Sequence, residues 1–315
     1  MTERHAVNQE KIKQVLSARL GPAVEFDREL AEFTSFRTGG PAGYFYTAAG
    51  VDDVIRAVRV ASELNLPRFI LGGGTNLLVS DKGYGGLVIR VDIRGLDLVD
   101  DLQIDCGAGE PLSALVEYVA AKSLSGLEFA AGIWGTAGGA VCGNAGAYGG
   151  DIGSTIVRVT LIDPQGELKE VTADYCRFDY RDSRLKSSGD VIIEARLKLK
   201  KGDPVKIRSR MEEIMTQRRN RHPVEGRSAG CFFKNIIDPD NPDEKIPAGR
   251  LLDETGAKEI SVGDARVFAE HANIIVNAGA ATSGDIRALA DLLAEKVYRK
   301  FGVRLQPEVV HLGEF

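Results

Sequence analysis

The segment RSAGCFFKN, residues 227–235, places a thiol, a cation and an amide around a glycine turn. Its cysteine, Cys231, directly follows a glycine and stands three residues before Lys234. By itself such a thiol is most often a small packed side chain. Neither a disulfide nor a metal site is predicted, because the four cysteines form no CxxC pair and the four histidines are scattered. A chemical role for Cys231 is therefore indicated only if other motifs in the chain point to a functional site that includes it.

A run of glycines in LGGGTNLLVSD (71–81) follows a short predicted strand. Three glycines followed by Thr75 and Asn76 can expose consecutive backbone N–H groups, and such a nest suits an anion, most often a phosphate. The pattern is neither GxxxxGK[ST] nor a GxGxxG that opens a helix. A tight turn without a ligand is the alternative interpretation.

A second glycine-rich segment, residues 126–156, is too rich in glycine for a stable helix and too rich in small residues to build a core alone. A plain surface loop is the alternative, but so long a structureless stretch is unusual inside a compact domain. We interpret residues 126–156 as exposed backbone that lies against a large flat ligand. Together, the two glycine-rich segments predict an extended ligand that contains a pyrophosphate.

Periodicity and turn residues predict an α+β fold in three parts, residues 1–83, 84–202 and 203–315. Predicted helices cover residues 9–20, 51–65, 112–124, 205–222 and 281–302. Predicted strands cover residues 68–72, 156–173 as a hairpin around Pro164 to Gly166, 191–200 and 303–313.

Composition excludes several classes of protein. The net charge of -5 argues against nucleic acid as the main partner, since phosphate binding usually leaves a basic footprint. The polar, charged first residues do not form a secretory signal, and no run of about 18 apolar residues predicts a membrane span. Free thiols are expected in a reducing cytoplasm.

Six motifs then occur in one order: LGGGTNLLVSD, GLEFAAGIWGTAGGAVCGNAGAYG, YRDSRLK, AGCFFKN, PAGRLLDETG and LQPEVVHLG. They resemble the UDP-N-acetylenolpyruvoylglucosamine reductase (MurB) family from about residue 28 to residue 313. The first two motifs are shared with a larger group of FAD enzymes that resemble vanillyl-alcohol oxidase. The last four motifs restrict the resemblance to this family. The resemblance implies a two-subdomain FAD-binding cradle followed by a C-terminal α+β substrate-binding domain.

The family's reaction is also implied by the resemblance. NADPH reduces a bound FAD, and hydride then passes to the enolpyruvyl double bond of a UDP-sugar, giving UDP-N-acetylmuramate for peptidoglycan. The expected cofactor is therefore FAD, the co-substrate NADPH and the partner a UDP-sugar. We expect a cytoplasmic monomer with no nucleic-acid partner, no membrane partner and no metal.

Site residues follow from the motif positions. Arg181, Cys231 and Glu308 fall at the three catalytic positions, and Gly230, Lys234 and Asn235 at substrate contacts. The positions expected at the FAD pyrophosphate are Gly72, Gly73, Gly74, Thr75 and Asn76. Those expected along the flavin are Gly132, Thr136, Gly138, Asn144, Gly146 and Tyr148.

The chemistry explains why these residue types are needed. Negative charge builds on the substrate carboxylate, so a cation or a protonated acid must meet it. Arg181 is permanently charged and can hold a carboxylate with two hydrogen bonds. Glu308 can serve as a protonated acid or can orient Arg181. Without the other motifs, an ion pair of Arg181 with Asp182 and a salt bridge of Glu308 at a strand end are the simpler interpretations.

The substrate carbon finally needs a proton from a fixed donor, and the family usually has serine where this chain has Cys231. The family also usually has proline at the position of Trp134, which alters the loop expected beside the flavin. Only about 50 residues separate Arg181 from Cys231, so the chain resembles the short form of the family. The basic run at 217–222 is by default a solvated helix end, and in this setting it can attract the UDP diphosphate.

Two other functions fit parts of the pattern. Another FAD oxidoreductase with the same cradle would not depend on a UDP-sugar. A non-enzymatic sensor of flavin or nucleotide-sugar would not be reduced by NADPH, and it would have no need of a proton donor.

Overall fold

The computed structural model describes residues 2–223, 227–237, 241 and 244–315. Eight α-helices lie in these residues: α1 (Thr2–Leu20), α2 (Val51–Glu63), α3 (Leu112–Ala121), α4 (Ala137–Gly143), α5 (Ala173–Cys176), α6 (Pro204–Arg221), α7 (Ala248–Glu254) and α8 (Ser283–Phe301). Ten strands precede residue 152: β1 (Val24–Glu29), β2 (Pro41–Ala48), β3 (Arg68–Leu71), β4 (Leu77–Val79), β5 (Tyr84–Val91), β6 (Leu96–Leu98), β7 (Gln103–Gly107), β8 (Leu124–Ser125), β9 (Gly146–Ala147) and β10 (Gly150–Asp151). Ten more follow: β11 (Ile156–Ile162), β12 (Leu168–Thr172), β13 (Val191–Lys198), β14 (Lys200–Lys201), β15 (Ile236–Ile237), β16 (Lys245–Ile246), β17 (Ser261–Val262), β18 (Ala265–Phe268), β19 (His271–Asn277) and β20 (Val310–Leu312).

The first compact unit contains two sheets that share one core. It comprises Met1–Arg28, Ala42–Gly73 and Gly85–Met215. One sheet has the strand order β1-β2-β5-β3, and the other has the order β12-β11-β13-β7-β6. Leu87 of the first sheet and Ile104 of the second are fully buried in the same hydrophobic cluster. Burial of this shared apolar surface is the main source of stability for the unit.

The second compact unit is built around α7, α8 and the sheet β17-β18-β19. It comprises Glu29–Pro41, Gly74–Tyr84 and Thr216–Phe315, and it has a hydrophobic core of its own. The short strand β4 pairs in parallel with β20, so the second half of the first glycine-rich segment is anchored beside the last strand. Helix α8 begins at a Thr282–Asp285 capping box and ends at Gly302, as the residue types at its ends predict.

Strong periodic patterns predicted their elements well, and weaker ones less so. Helix α2 lies within the predicted 51–65 and α8 within the predicted 281–302. The predicted last strand, 303–313, is wrong over most of its length, because only Val310–Leu312 forms a strand. Pro307, which has no N–H to donate, makes one isolated bridge to Phe233 instead of a ladder.

The α+β class is confirmed by the mixture of helices and sheets in both units. The division at residues 83 and 202 stays a prediction, although the first sheet continues through β5, which begins at residue 84. None of the helices in the described part of the chain combines the length and the apolar character needed to cross a lipid bilayer.

Candidate functional site

The predicted site residues are divided between the two units. The first unit holds Gly72, Gly73, Gly132, Thr136, Gly138, Asn144, Gly146, Tyr148 and Arg181. The second unit holds Gly74, Thr75, Asn76, Gly230, Cys231, Lys234, Asn235 and Glu308.

Two glycines of the first glycine-rich loop pack against the second glycine-rich segment. A Cβ added at Gly72 would lie 2.7 Å from Thr136 Oγ1, and one at Gly73 would lie 2.8 Å from Gly135 Cα. The sequence interpretation attributed these glycines to the approach of a ligand. The structure gives them another reason, because two segments of the chain approach too closely here for any side chain.

The next part of the same loop is fastened to the segment that carries Glu308. Gly74 has a φ of +62°, and a Cβ there would lie 1.8 Å from Phe33 O. Asn76 Nδ2 donates to the backbone carbonyl of Glu308 at 3.0 Å, and Asn76 O accepts from Val310 N at 3.1 Å. The Asn76 side chain, predicted to bind a phosphate, thus also positions the backbone at Glu308.

A short helix interrupts the second glycine-rich segment, so the expectation that this stretch is too rich in glycine for a helix is wrong. Thr136 Oγ1 accepts from Gly139 N at 3.3 Å and caps α4, and Asn144 ends it in the left-handed conformation. The first turn is anchored by Gly138 N, which donates to Ala108 O at 2.8 Å. Capping and tertiary hydrogen bonds therefore offset the poor helix propensity of glycine.

Two large aromatic side chains are exposed on this segment. Trp134 is 49% exposed and Tyr148 is 38% exposed, with Tyr148 in the left-handed conformation at a φ of 50°. Next to it, a Cβ at Gly149 would meet no atom within 4 Å. The segment therefore offers open surface beside Tyr148.

Arg181 lies at the tip of a tight turn that is fastened to the same segment. Asp179 and Asp182 exchange two backbone hydrogen bonds, of 3.0 and 3.1 Å, and Arg181 has a φ of 54°. Its Nη2 donates to Gly146 O at 2.5 Å, and its guanidinium carbon lies 5.5 Å from the centre of the Tyr180 ring. These contacts hold the charged group in one place.

Cys231 and Glu308, 77 residues apart in the sequence, lie on neighbouring segments. Glu308 N donates to Phe232 O at 2.8 Å, and Lys234 N donates to Gln306 O at 2.9 Å. On its other side, Cys231 forms a bridge with Ile274. The thiol-bearing segment is thus held between two others.

The turn before Cys231 faces open space. Gly230 has a φ of +76°, and a Cβ there would meet no atom within 4 Å. Asn235, at the other end of the motif, accepts a hydrogen bond from Ala248 N at 3.1 Å and so supports the start of α7.

Two histidines that the sequence left scattered come together in the second unit. The rings of His222 and His271 lie 6.0 Å apart. Burial lowers the pKa of His222 to about 4, helped by the charge of Arg218, and burial also lowers the pKa of His271. No sequence signal could find this pair, because the two residues are far apart and match no ligand spacing. Among the described residues no group of three or more potential metal ligands occurs.

Comparison with known sequences supports the resemblance on both parts of the chain. Residues 42–172 match the FAD binding domain, and residues 222–312 match the family described as "UDP-N-acetylenolpyruvoylglucosamine reductase, C-terminal domain". UDP-N-acetylenolpyruvoylglucosamine reductase of Agathobacter rectalis is 36% identical, with 98% of this chain and 100% of the relative covered.

The chain belongs to the UDP-N-acetylenolpyruvoylglucosamine reductase family.

Other relatives agree with this assignment. The reductase of Carboxydothermus hydrogenoformans is 35% identical over 96% of this chain and 99% of its own length. The crystal structure of UDP-N-acetylenolpyruvylglucosamine reductase (MurB) from Thermus caldophilus matches with a TM-score of 0.77 and 33% identity, covering 92% of this chain and 98% of that one. The membership predicted from six motifs is therefore confirmed.

The residues present fit FAD. The matched FAD binding domain contains the whole of both glycine-rich segments. Within it, the open surface around Tyr148 and Gly149 suits a flat ring system, because there is no Cβ at the glycine to hold the ring away.

Proposed function

We propose that this protein reduces UDP-N-acetylglucosamine enolpyruvate to UDP-N-acetylmuramate with NADPH and bound FAD, as a step of peptidoglycan precursor synthesis. The observation that carries the proposal is a near full-length match to reductases of this name that includes the C-terminal family domain. That domain contains both the thiol and the carboxylate of the predicted catalytic set, and the structure holds them on hydrogen-bonded neighbouring segments.

The two glycine-rich segments are the residues that would hold FAD. The backbone N–H groups of residues 72–76 are suited to its pyrophosphate, and residues 132–148 to its ring. Bound FAD would accept hydride from NADPH and deliver it to the enolpyruvyl double bond.

Arg181 stabilises the charge that develops on the substrate carboxylate. Its guanidinium can hold a carboxylate with two hydrogen bonds, and its turn is fixed by hydrogen bonds before substrate arrives. Such preorganised charge needs no rearrangement during the reaction. Glu308, whose backbone lies next to the thiol-bearing segment, takes part either as a protonated acid that meets the same charge or as a group that orients Arg181.

Cys231 gives the final proton to the substrate carbon. Its segment is fixed on both sides, and the Gly230 turn beside it faces open space in which a ligand can lie. Gly230, Lys234 and Asn235 in the same motif bind the UDP-sugar.

Separate measurement of the two half-reactions tests this proposal. Purified protein should carry FAD, which is released on denaturation, and anaerobic NADPH should bleach the flavin absorbance. Addition of the UDP-enolpyruvyl sugar should then restore the absorbance. A protein that cannot be loaded with FAD would overturn the proposal. Flavin that NADPH does not reduce would indicate a sensor, and reduced flavin that ignores the UDP-sugar would indicate another oxidoreductase.

The variants Arg181→Met and Glu308→Gln test the assigned roles. Reduction by NADPH should stay nearly intact, while reoxidation by the UDP-sugar should slow on the order of 100-fold or more, as expected when one stabilising group is lost. The matched control is Arg177→Met, because Arg177 also has a left-handed backbone and lies four residues earlier. Slower reduction with normal reoxidation would show that the roles are wrongly assigned.

The cellular setting is also part of the proposal. We propose a monomer in the cytoplasm, without a membrane or nucleic-acid partner. All four cysteines are free in the structure, which is typical of a reducing compartment. Light scattering of the FAD-loaded protein checks the monomer, since a dimer would have twice the mass.

A further inference from the structure

Asn144 joins the glycine-rich segment to the turn that carries Arg181. Its Nδ2 donates to Asp179 O at 2.9 Å, and its Oδ1 accepts from Gly153 N at 2.9 Å. One partner is an acceptor and the other a donor, so the amide orientation is determined by the contacts. The residue is only 6% exposed, so both hydrogen bonds are shielded from water.

The hydrogen bond that Asn144 donates falls at the base of the Arg181 turn. Asp179 is one of the two residues whose paired backbone hydrogen bonds close this turn. Arg181, at its tip, has a φ of 54°, a conformation that residues other than glycine rarely adopt. A backbone in such a conformation persists only where surrounding contacts determine it.

Three other hydrogen bonds also hold this turn in place, two of them to the glycine-rich segment. Ser183 Oγ donates to Cys142 O at 2.6 Å, two residues before Asn144. Arg181 Nη2 donates to Gly146 O at 2.5 Å, two residues after it. Lys186 Nζ donates to the backbone carbonyl of Arg181 itself. Asn144 lies in the sequence between the two residues of the segment that accept hydrogen bonds, Cys142 and Gly146.

We propose that Asn144 is a positioning residue whose side chain sets the place of the Arg181 guanidinium. This rests on the proposed role of Arg181, and it gives the Asn144 side chain a task other than contact with the flavin. Asparagine suits the task for two reasons. It tolerates the left-handed backbone at the end of α4, where Asn144 has a φ of 44°, and its amide can donate and accept at once.

Two substitutions separate these properties. Asn144→Gly keeps the left-handed backbone and removes both hydrogen bonds. Asn144→Asp keeps the shape and the acceptor, but sets a carboxylate oxygen against the carbonyl of Asp179. The matched control is Asn65→Gly, because Asn65 is an exposed asparagine with a φ of 49° in the same unit.

In FAD-loaded protein, both Asn144 variants should slow reoxidation by the UDP-sugar about 10- to 100-fold, as expected when a charged group is misplaced by about 1 Å. Reduction by NADPH, the flavin spectrum and the flavin midpoint potential should match those of the wild type. Hydrogen exchange of the Asp182 and Gly153 amides should quicken in Asn144→Gly. The Asn65→Gly control should change none of these quantities.

The double variant Asn144→Gly/Arg181→Met decides whether Asn144 acts through Arg181. If it does, reoxidation in the double variant should lie within about threefold of Arg181→Met alone. Multiplicative losses, or a shifted flavin potential, would show direct contact with the flavin and overturn the inference. If Arg181→Met itself leaves reoxidation unchanged, the role proposed for Arg181 is what fails.

Discussion

Three of the four cysteines have a thiol whose pKa is raised by burial. Cys106 and Cys176 are buried, and burial raises the pKa of both thiols, that of Cys176 to about 11. Burial also raises the pKa of Cys142. Because the thiolate is the reactive form, these three thiols should react slowly with alkylating agents at neutral pH. Because these three thiols should react slowly, a thiol reagent tests Cys231, which is partly buried, as Cys142 is.

Substitution at this position tests the proton donor. Cys231→Ser should keep substantial turnover, because a donor of similar size remains, whereas Cys231→Ala should lose most turnover. Both variants should still be reduced by NADPH, because the proton is needed only after hydride transfer. Steady-state turnover and anaerobic flavin reduction measure the two effects.

Alkylation of the Cys231 thiol tests the role of this residue independently. Iodoacetamide should inactivate the wild type, the UDP-sugar should protect it, and Cys231→Ser should resist. An alanine variant with wild-type turnover would mean that Cys231 only packs, and that the proton comes from another donor.

The glycines of the first glycine-rich segment allow it to pack closely against the second one. In Gly73→Val, the new side chain would begin 2.8 Å from Gly135 Cα, which is backbone and cannot move aside alone. We expect a loss of about 1–3 kcal/mol in the free energy of unfolding, together with weaker FAD retention. Urea denaturation and flavin release on gel filtration measure the two changes.

Gly85→Ala is the matched control for this loop. Gly85 lies in β5 of the same unit, and a Cβ there would meet no atom within 4 Å. Its free energy of unfolding should change by less than about 0.5 kcal/mol, with FAD retained. Equal losses in both variants would show that close packing of the loops is not the reason for Gly73.

Proton binding couples single histidines to the stability of the whole molecule. The pKa of His222 is lowered to about 4 in the folded protein, first by burial and then by Arg218, against about 6.5 when unfolded. Between these values the unfolded state binds more protons, so stability falls as pH drops from about 6.5 to about 4. Above about pH 7, this histidine should contribute no pH dependence.

His222→Gln should reduce that pH dependence. Urea denaturation at pH 7.5, 6.5, 5.5 and 4.5 should show a smaller loss of stability at low pH than in the wild type. The remaining slope should reflect other groups, including His271 and His311, whose pKa values burial also lowers. Parallel curves for the two proteins would contradict the lowered pKa of His222.

Local patterns in the sequence determined the fold class, the long helices, the hairpin around Pro164 to Gly166 and the family. Such features depend on residues a few positions apart, so periodicity, capping residues and ordered motifs report them directly. The same local evidence failed at α4, where Thr136, Asn144 and hydrogen bonds to Ala108 make a helix from glycine-rich sequence.

Only the tertiary structure decided how the site residues are held. Asn144 bonds to a residue 35 positions away, and Asn76 to one 232 positions away, so no local pattern could assign partners to either side chain. Motif position predicted both as cofactor contacts, which stays a prediction, and the structure adds hydrogen bonds from their side chains to the Arg181 turn and the Glu308 segment. A motif shows which residue type occupies a position, but not which partners its side chain has. Buried polar groups need hydrogen-bond partners, and only the three-dimensional packing determines which distant residues supply them.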